Sequence, residues 1–155
     1  MNDSAARTVR KLTRTEAGYR WDGVAVKEYP ATGTVSDRVT KQVLFAPDER
    51  LPAEWRYFEV SPGGYSGLEK HQHVHAVMVL RGAGRVLVGE EVWSIQEHDL
   101  VYIPPETWHQ FYAASDSALG FLCLVNGERD RPTRPSPADI TELEEKSKLS
   151  GIIRY

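Results

Sequence analysis

The 155-residue chain has a single cysteine, Cys123, and no apolar run as long as a membrane span requires. One cysteine excludes an internal disulfide framework and fits a reducing compartment. The N-terminus lacks the apolar segment of a secretory signal peptide. Positive and negative side chains nearly balance, with a formal net charge of -3, so nothing favours a nucleic-acid or membrane partner. We therefore expect one soluble, cytoplasmic domain.

Histidine is also scarce, and its distribution is uneven. Three of the five histidines alternate with single residues in His71-Gln72-His73-Val74-His75. Successive side chains of an extended strand point to opposite faces, so these three imidazoles share a face, and Glu69 is in phase with them. Neutral imidazole is the commonest metal ligand. The pattern predicts a metal site with at least one further ligand from elsewhere; a solvated histidine face is the alternative.

Short β-rich segments separated by Gly or Pro turns fill the middle of the chain and predict an all-β domain over residues 40–126. The expected strands are 40–45, 56–60, 71–80, 85–88, 92–95, 100–103, 109–112 and 120–125. No helical periodicity interrupts them, and their even spacing suggests a sandwich, jelly roll or barrel. Residues 1–39 would form an N-terminal arm with possible strands.

Residues 127–155 differ in composition from the domain before them. The segment Arg129–Pro137, which we call the strap, is rich in Pro and Arg and is expected to be extended. Ser136 is a good N-cap, Pro137 suits the first helical position, and Asp139 lies in the first turn. A short helix should therefore begin here and end near Leu149–Gly151. We expect it to cover one end of the β-domain or to form a dimer contact.

Two stretches of the sequence combine histidine with glycine or proline corners. The first runs from Pro62-Gly63-Gly64 through the histidine run to Val79-Leu80-Arg81-Gly82, and the second is Pro104-Pro105-Glu106-Thr107-Trp108-His109. Together they resemble the two motifs of the cupin superfamily, and the resemblance covers roughly residues 40–126. It implies a double-stranded β-helix, the cupin jelly-roll barrel, with a metal held inside by first-motif residues and the second-motif histidine.

Aligned without gaps to the glycine at position 82, the resemblance places the metal ligands at Glu69, His71, His75 and His109. The family's first histidine has become glutamate here, and its glutamate has become histidine. A one-step shift is the competing alignment, in which His71 and His73 form the paired histidines and His75 is a third ligand. Strand parity cannot separate the two. In the preferred alignment His73 is not one of the four ligands. It would form a hydrogen bond to a ligand, take part in acid–base chemistry or act as a fifth ligand.

Two positions at which the second motif usually has glycine hold other residues. His98 replaces one glycine, and we expect it to be a turn residue rather than a metal ligand. Glu106 replaces the later glycine and would alter the loop that precedes His109.

Aromatic side chains of the predicted strands favour an apolar or aromatic substrate. Those expected to contact it are Trp93, Trp108, Phe111 and Phe121. Tyr57 and Tyr102 could donate hydrogen bonds to a reacting molecule, and with His73 they are the expected catalytic residues. Against this, strand tyrosines are more often packed with the hydroxyl at the surface.

Imidazole and carboxylate ligands suit a divalent transition metal, namely Fe, Mn, Ni, Cu or Zn. The lack of thiolate ligands argues against a closed structural zinc site. The leading hypothesis is a metal-dependent cupin enzyme, a dioxygenase-type oxidoreductase acting on a small aromatic or enolic molecule. The alternatives are a metal-dependent isomerase or lyase and a non-catalytic small-molecule-binding cupin. A homodimer is expected by analogy with the family.

Overall fold

The computed structural model describes residues 9–16, 18–29, 36–147 and 151–155, and these contain ten strands and one helix. The strands are β1 (Leu12–Thr15), β2 (Gly18–Trp21), β3 (Lys27–Glu28), β4 (Asp37–Phe45), β5 (Ala53–Tyr65), β6 (His75–Val88), β7 (Glu91–Gln96), β8 (Leu100–Ile103), β9 (His109–Ala113) and β10 (Leu119–Asn126). The helix α1 spans Pro137–Ser147. Within the described ranges, no helix has the length and apolarity to cross a membrane.

Antiparallel pairing closes the long strands into a barrel. β5 pairs with β10, β10 with β6, and β6 with β9. β9 returns to β5 through the pair Tyr65–Tyr112 and so completes the ring. The two halves of β6 also pair with β8 and β7. The predicted all-β jelly-roll barrel is confirmed.

Side chains on alternate positions of these strands fill the barrel interior. The core consists of Val39, Phe58, Val60, Val77, Val79, Val86, Ile95, Ile103, Phe111, Leu119, Phe121, Cys123 and Val125. Burying a large apolar side chain of this kind contributes on the order of 2 kcal/mol. The same alternation places Arg56 and His75, two residues before Phe58 and Val77, on the inner face.

The outer face of β4 and β5 is covered by the β1–β2 hairpin. Tyr19 stacks on Tyr57 with ring centroids 5.7 Å apart, and Trp21 meets the same ring edge-on at 5.0 Å. Leu44 belongs to the same buried cluster. The aromatic residues of the hairpin therefore give β5 a second buried face, which is separate from the barrel interior.

Two of the predicted strands form one continuous strand. β6 runs from His75 to Val88, so the strand expected from position 71 begins four residues later, and no turn separates its halves. The strand passes through Gly82 with φ of 72°, and its register with β10 shifts nearby. A Cβ at this position would lie 1.8 Å from the carbonyl oxygen of Ala118. Glycine is therefore required for the bulge that lets the strand continue.

The predicted C-terminal helix is confirmed. The Ser136 hydroxyl accepts a hydrogen bond from the backbone N–H of Asp139 at 3.2 Å, and the Asp139 carboxylate accepts one from the backbone N–H of Ser136 at 2.8 Å. These reciprocal bonds form a capping box. Leu143 is buried in a cluster with Leu87 and Tyr112 of the barrel wall, so the helix docks on the β-domain. Its expected end near residues 149–151 lies partly outside the described residues.

Candidate metal centre

Three buried imidazoles converge inside the barrel. His75 begins β6, His109 begins β9, and His71 lies in the segment before β6; ligand atoms of the three lie within 4.8 Å of one another. The backbones of Glu69 and His109 exchange two hydrogen bonds, of 3.3 Å and 3.0 Å. This short bridge brings the segment before β6 alongside the start of β9. Residues from the two sequence motifs thereby meet at one point.

Backbone carbonyls orient two of these imidazoles. Nδ1 of His71 donates to the carbonyl of His73 at 2.8 Å, and Nδ1 of His109 donates to the carbonyl of Thr107 at 2.9 Å. With the proton on Nδ1, each Nε2 presents a lone pair. Both Nε2 atoms are buried and have no hydrogen-bond partner within the described part of the chain. Buried polar atoms are rarely left without a partner, so these nitrogens fit a bound metal ion.

Burial keeps the histidines of this centre neutral. It lowers the pKa of His109 to about 4 and holds the pKa of His75 well below its usual range, where the neighbouring His109 adds to the effect. Burial also lowers the pKa of His71. Only the neutral imidazole can coordinate a metal, so these nitrogens are available at neutral pH without first losing a proton.

His73 lies next to the three converging imidazoles and is held by the strap. Its Nδ1 donates to the Asp130 carboxylate at 2.8 Å, and its ring stacks on His71 with centroids 3.6 Å apart. Nε2 of His73 lies 3.3 Å from Nε2 of His75. The backbone N–H of Gln72 also donates to Asp130 and is the largest cause of its lowered pKa, so this carboxylate is ionised at neutral pH. The His73 Nε2 is thereby directed at the metal centre.

Glu69 lies in the same cavity but farther from the imidazoles. Its carboxylate oxygen is 4.0 Å from Nε2 of His109 and accepts a hydrogen bond from the Tyr29 hydroxyl at 3.4 Å. Burial raises the pKa of Glu69 above its usual value. The group of atoms within 4.8 Å contains the three histidines and excludes this carboxylate. Its role as a ligand remains a prediction from the resemblance.

A cavity of about 200 Å³ opens above the histidines; we call it the histidine cavity. Phe111 and Phe121, both predicted to contact substrate, line it and stack with ring centroids 4.3 Å apart. Three cationic residues, Lys41, Arg56 and Arg129, also line it. The cavity therefore combines an apolar wall, a floor of histidines that could hold a metal, and charged side chains of both signs, because Glu69 and Asp130 line it as well.

The two tyrosines predicted to be catalytic lie outside this cavity. The Tyr57 hydroxyl donates to the Glu59 carboxylate, in the cluster under the β1–β2 hairpin. Tyr57 falls between the inward-facing Arg56 and Phe58, and strand alternation therefore turns it outward. Tyr102 is 62% exposed on the barrel surface. Neither residue lines the histidine cavity, so the structure does not place them for catalysis.

The two tryptophans predicted to contact substrate also lie elsewhere. Trp93 is 57% exposed on β7. Trp108 packs against the cluster beneath α1, and the Lys70 ammonium lies 4.6 Å from its ring centroid. Neither tryptophan lines the histidine cavity. Trp108 directly precedes His109, and in a strand-like backbone such neighbours point to opposite sides.

Several residues of the cavity wall carried no recognisable signal in the sequence. They are Tyr29, Lys41, Arg129 and Asp130. Single charged residues on strands are usually solvated, and Asp130 is 57 positions from its histidine partner. Arg56 alone had a detectable signal, because its position alternates with that of the apolar Phe58.

Cys123, the single cysteine of the chain, is buried next to the site. Its Sγ lies 3.5 Å from Nδ1 of His75 and accepts a hydrogen bond from the Arg56 guanidinium at 3.4 Å. Burial raises the pKa of the thiol. The sulfur is thus a neutral contact behind a metal-centre histidine.

The two positions at which the cupin motif usually has glycine both adopt the left-handed backbone that glycine favours. φ is 74° at His98 and 53° at Glu106. His98 is exposed in a turn, as expected. The backbone N–H of Glu106 donates to the carbonyl of His71 at 2.7 Å, so the corner before His109 is tied to the first motif despite the missing glycine.

Comparison with known proteins agrees with this geometry. The cupin domain family model matches residues 56–125. The chain is 48% identical over 139 residues to a protein of Rhodospirillum rubrum named 1-methylthio-D-xylulose 5-phosphate methylsulfurylase, a match that covers 89% of this chain and 88% of that protein.

Two solved structures extend the comparison. A cupin 2 conserved barrel domain protein from Rhodopseudomonas palustris has a TM-score of 0.82 at 50% identity, covering 94% of this chain and 99% of that one. A cupin-2 domain protein from Rhodospirillum rubrum also has a TM-score of 0.82, at 46% identity and with 90% and 94% coverage. With a closed jelly-roll barrel, both motifs and these relatives, the chain belongs to the cupin superfamily.

Proposed function

We propose that this protein is a metal-dependent enzyme that removes the methylthio group from 1-methylthio-D-xylulose 5-phosphate. The observation that carries the proposal is the 48% identity to the Rhodospirillum rubrum protein of that name. Because 89% of this chain is aligned, the matched stretch necessarily spans the residues that build the site, from Glu69 to Asp130. A shared barrel alone would not support a shared reaction, whereas 48% identity over a stretch that includes the whole site does.

The site has the donors that such a reaction needs. A divalent transition metal (Fe, Mn, Ni, Cu or Zn) held by His71, His75 and His109 would act as a Lewis acid on the ketone oxygen of the sugar. We propose Glu69 as a fourth donor, because its carboxylate lies in the same cavity.

His73 is the residue we propose for proton transfer. Asp130 holds its Nδ1 proton, so Nε2 is the nitrogen that would take the proton of a thiol co-substrate and pass it to the substrate carbon next to the ketone. The thiol sulfur would bond to the methylthio sulfur and leave as a mixed disulfide, and the electron pair of the broken C–S bond would go to the carbon that receives the proton. Phe111 and Phe121 would exclude water from that side of the cavity. Proton transfer next to a carbonyl is typical of isomerases and lyases. The proposed reaction is therefore closer to the isomerase or lyase alternative than to a dioxygenase reaction.

The dioxygenase-type oxidoreductase expected from the sequence is the second candidate. The set of three neutral imidazoles supports it, because such a set leaves coordination positions for both dioxygen and a substrate. The two candidates differ in one requirement: only the dioxygenase consumes oxygen.

The test is turnover of 1-methylthio-D-xylulose 5-phosphate by protein reconstituted with each candidate metal, with and without a small thiol as acceptor for the methylthio group. Mass spectrometry would follow loss of the substrate and formation of a phosphorylated sugar without that group. We expect turnover that requires the thiol, that chelation abolishes, that added metal restores and that is equal without oxygen. A strict oxygen requirement would instead support the dioxygenase. Thermal stabilisation by the sugar phosphate without turnover, for every metal, would support a non-catalytic binding cupin.

A further inference from the structure

Positive charge is concentrated at one part of the histidine cavity wall. Lys41 of β4, Arg56 of β5 and Arg129 of the strap all line the cavity. Glu54 is their shared counter-ion, with its carboxylate 3.1 Å from the Arg129 guanidinium and 3.7 Å from Nε of Arg56. The three cations thus share one close carboxylate at this end of the wall, while the other two carboxylates of the lining lie toward the histidines: Asp130 is bound to His73, and Glu69 lies 4.0 Å from Nε2 of His109.

Arg56 has unused donor capacity. The residue is only 6% exposed, and its Nε has no hydrogen-bond partner among the described residues. Its terminal nitrogen donates to the sulfur of Cys123, which is a weak acceptor. A buried guanidinium has five N–H donors, and leaving them unsatisfied is costly. An anionic oxygen in the cavity would satisfy them.

Lys41 is half-buried, and no carboxylate pairs with it within the ranges that the structure describes. Its ammonium lies 5.3 Å from the centroid of the Tyr29 ring. Burial lowers the pKa of Lys41, and the charge of Arg56 lowers it further. The ammonium is therefore held near another cation at a cost that a bound anion would offset.

We propose that Lys41, Arg56 and Arg129 form a subsite for the phosphate monoester of the substrate. The inference rests on the proposed function, which makes the substrate a sugar phosphate. Guanidinium and ammonium groups form charge-assisted hydrogen bonds to phosphate oxygens, and arginine can do so in a bidentate manner. Phosphate bound at these cations would orient the sugar so that its ketone end faces the histidines. The subsite would thus determine both specificity and direction of binding.

The experiment measures binding of glycerol 3-phosphate to the metal-loaded protein by calorimetry, with glycerol and glycerate as comparison ligands. Lys41→Gln and Arg129→Gln should each weaken glycerol 3-phosphate binding by about tenfold or more, the loss expected for a hydrogen bond to a charged group. Both residues are partly exposed, so these variants should fold, whereas Arg56 is too deeply buried for a first test.

Lys27→Gln is the matched control. Lys27 pairs in register with Lys41 from the neighbouring strand β3, carries the same charge and is exposed outside the cavity. Its substitution should leave binding and metal content unchanged. Equal weakening in this control, or undiminished binding in Lys41→Gln and Arg129→Gln, would overturn the inference. Tighter binding of glycerate than of glycerol 3-phosphate would overturn the assignment to phosphate.

Turnover separates this inference from the proposed function. If glycerol 3-phosphate binding depends on Lys41 but the wild-type protein does not convert 1-methylthio-D-xylulose 5-phosphate, the subsite stands and the proposed function fails. If the wild-type protein converts that substrate and Lys41→Gln does so with unchanged KM, the function stands and the subsite fails.

Discussion

The carboxylate of Asp130 accepts a hydrogen bond from Nδ1 of His73 at 2.8 Å, joining the strap to the metal motif across 57 positions of sequence. The contact fixes the tautomer of the imidazole, because a carboxylate accepts a proton but cannot donate one when ionised. Nε2 of His73 then carries a lone pair and faces Nε2 of His75, 3.3 Å away. Asp130, which lies outside both cupin motifs, thereby fixes the tautomer of His73, which lies inside the first motif.

Replacing Asp130 with Asn should reduce activity without removing the metal. The amide can place an N–H toward His73, and loss of such an orienting carboxylate typically costs 10- to 100-fold. We expect a fall of roughly that size in kcat for 1-methylthio-D-xylulose 5-phosphate, with metal content unchanged by elemental analysis. Asp116→Asn, in an exposed bend before β10, is the control and should behave as wild type. Loss of metal in Asp130→Asn would show instead that His73 is a ligand.

Removing a histidine of the metal centre should remove the metal. We expect His75→Ala and His109→Ala, purified without chelator or added metal, to contain little transition metal by elemental analysis. Each change deletes one of the three nitrogens that lie within 4.8 Å of one another. His98→Ala, in an exposed turn, should retain full metal content. Full metal content in either metal-centre variant would contradict the ligand assignment.

Glu69 and His73 compete for the role of additional ligand, and two variants distinguish them. The preferred alignment expects lower metal affinity in Glu69→Gln and retained affinity in His73→Ala. Titration of the metal-free proteins with Mn(II) or Fe(II) would measure this. The opposite result would favour the shifted alignment, in which the paired histidines are His71 and His73.

The metal-free protein should lose stability as the pH falls, because burial lowers the pKa of His109 in the folded protein. Its pKa is about 4 when folded, against an ordinary value of 6.5. Between pH 4 and pH 6.5 the unfolded chain binds more protons than the folded protein. The contribution of His109 to the free energy of unfolding is therefore fully present above pH 6.5 and decreases as the pH drops toward 4. The loss should be roughly 1 kcal/mol per pH unit for each such histidine.

Urea unfolding at several pH values between these limits would measure this slope in wild type and in His109→Gln. The variant should show the shallower dependence. Glu69 and Glu59, whose pKa values burial raises, act in the opposite sense, so the comparison between the two proteins is the informative quantity. Identical slopes would rule out the neutral, buried state of His109.

Tyr57→Phe should reduce stability and leave the metal and turnover intact. The buried hydroxyl donates to Glu59, and its loss leaves that carboxylate short of a partner, which should cost about 2 kcal/mol in the free energy of unfolding. Tyr102→Phe, at an exposed position, should change neither stability nor turnover. Lost turnover with unchanged stability in Tyr57→Phe would instead place its hydroxyl in the chemistry.

The local sequence pattern predicted much of the fold and part of the site. Alternation and turn residues predicted most strands within a few positions, and Ser136, Pro137 and Asp139 predicted where the helix begins. The continuous β6 was missed because Gly82 is typical of a turn, whereas here it accommodates a bulge within a strand. Tyr57 was assigned to catalysis because aromatic composition does not say which face of a strand is the inner one.

By itself, the sequence placed His71, His75 and His109 in two motifs that resemble those of a barrel family, because the residues of each motif are close together in the chain. Only the tertiary structure decided what surrounds them. Asp130 meets His73, and Lys41 and Arg56 reach one cavity, because of strand pairing and the path of the strap. Such contacts join residues far apart in the chain, and their positions depend on register, which no single segment encodes.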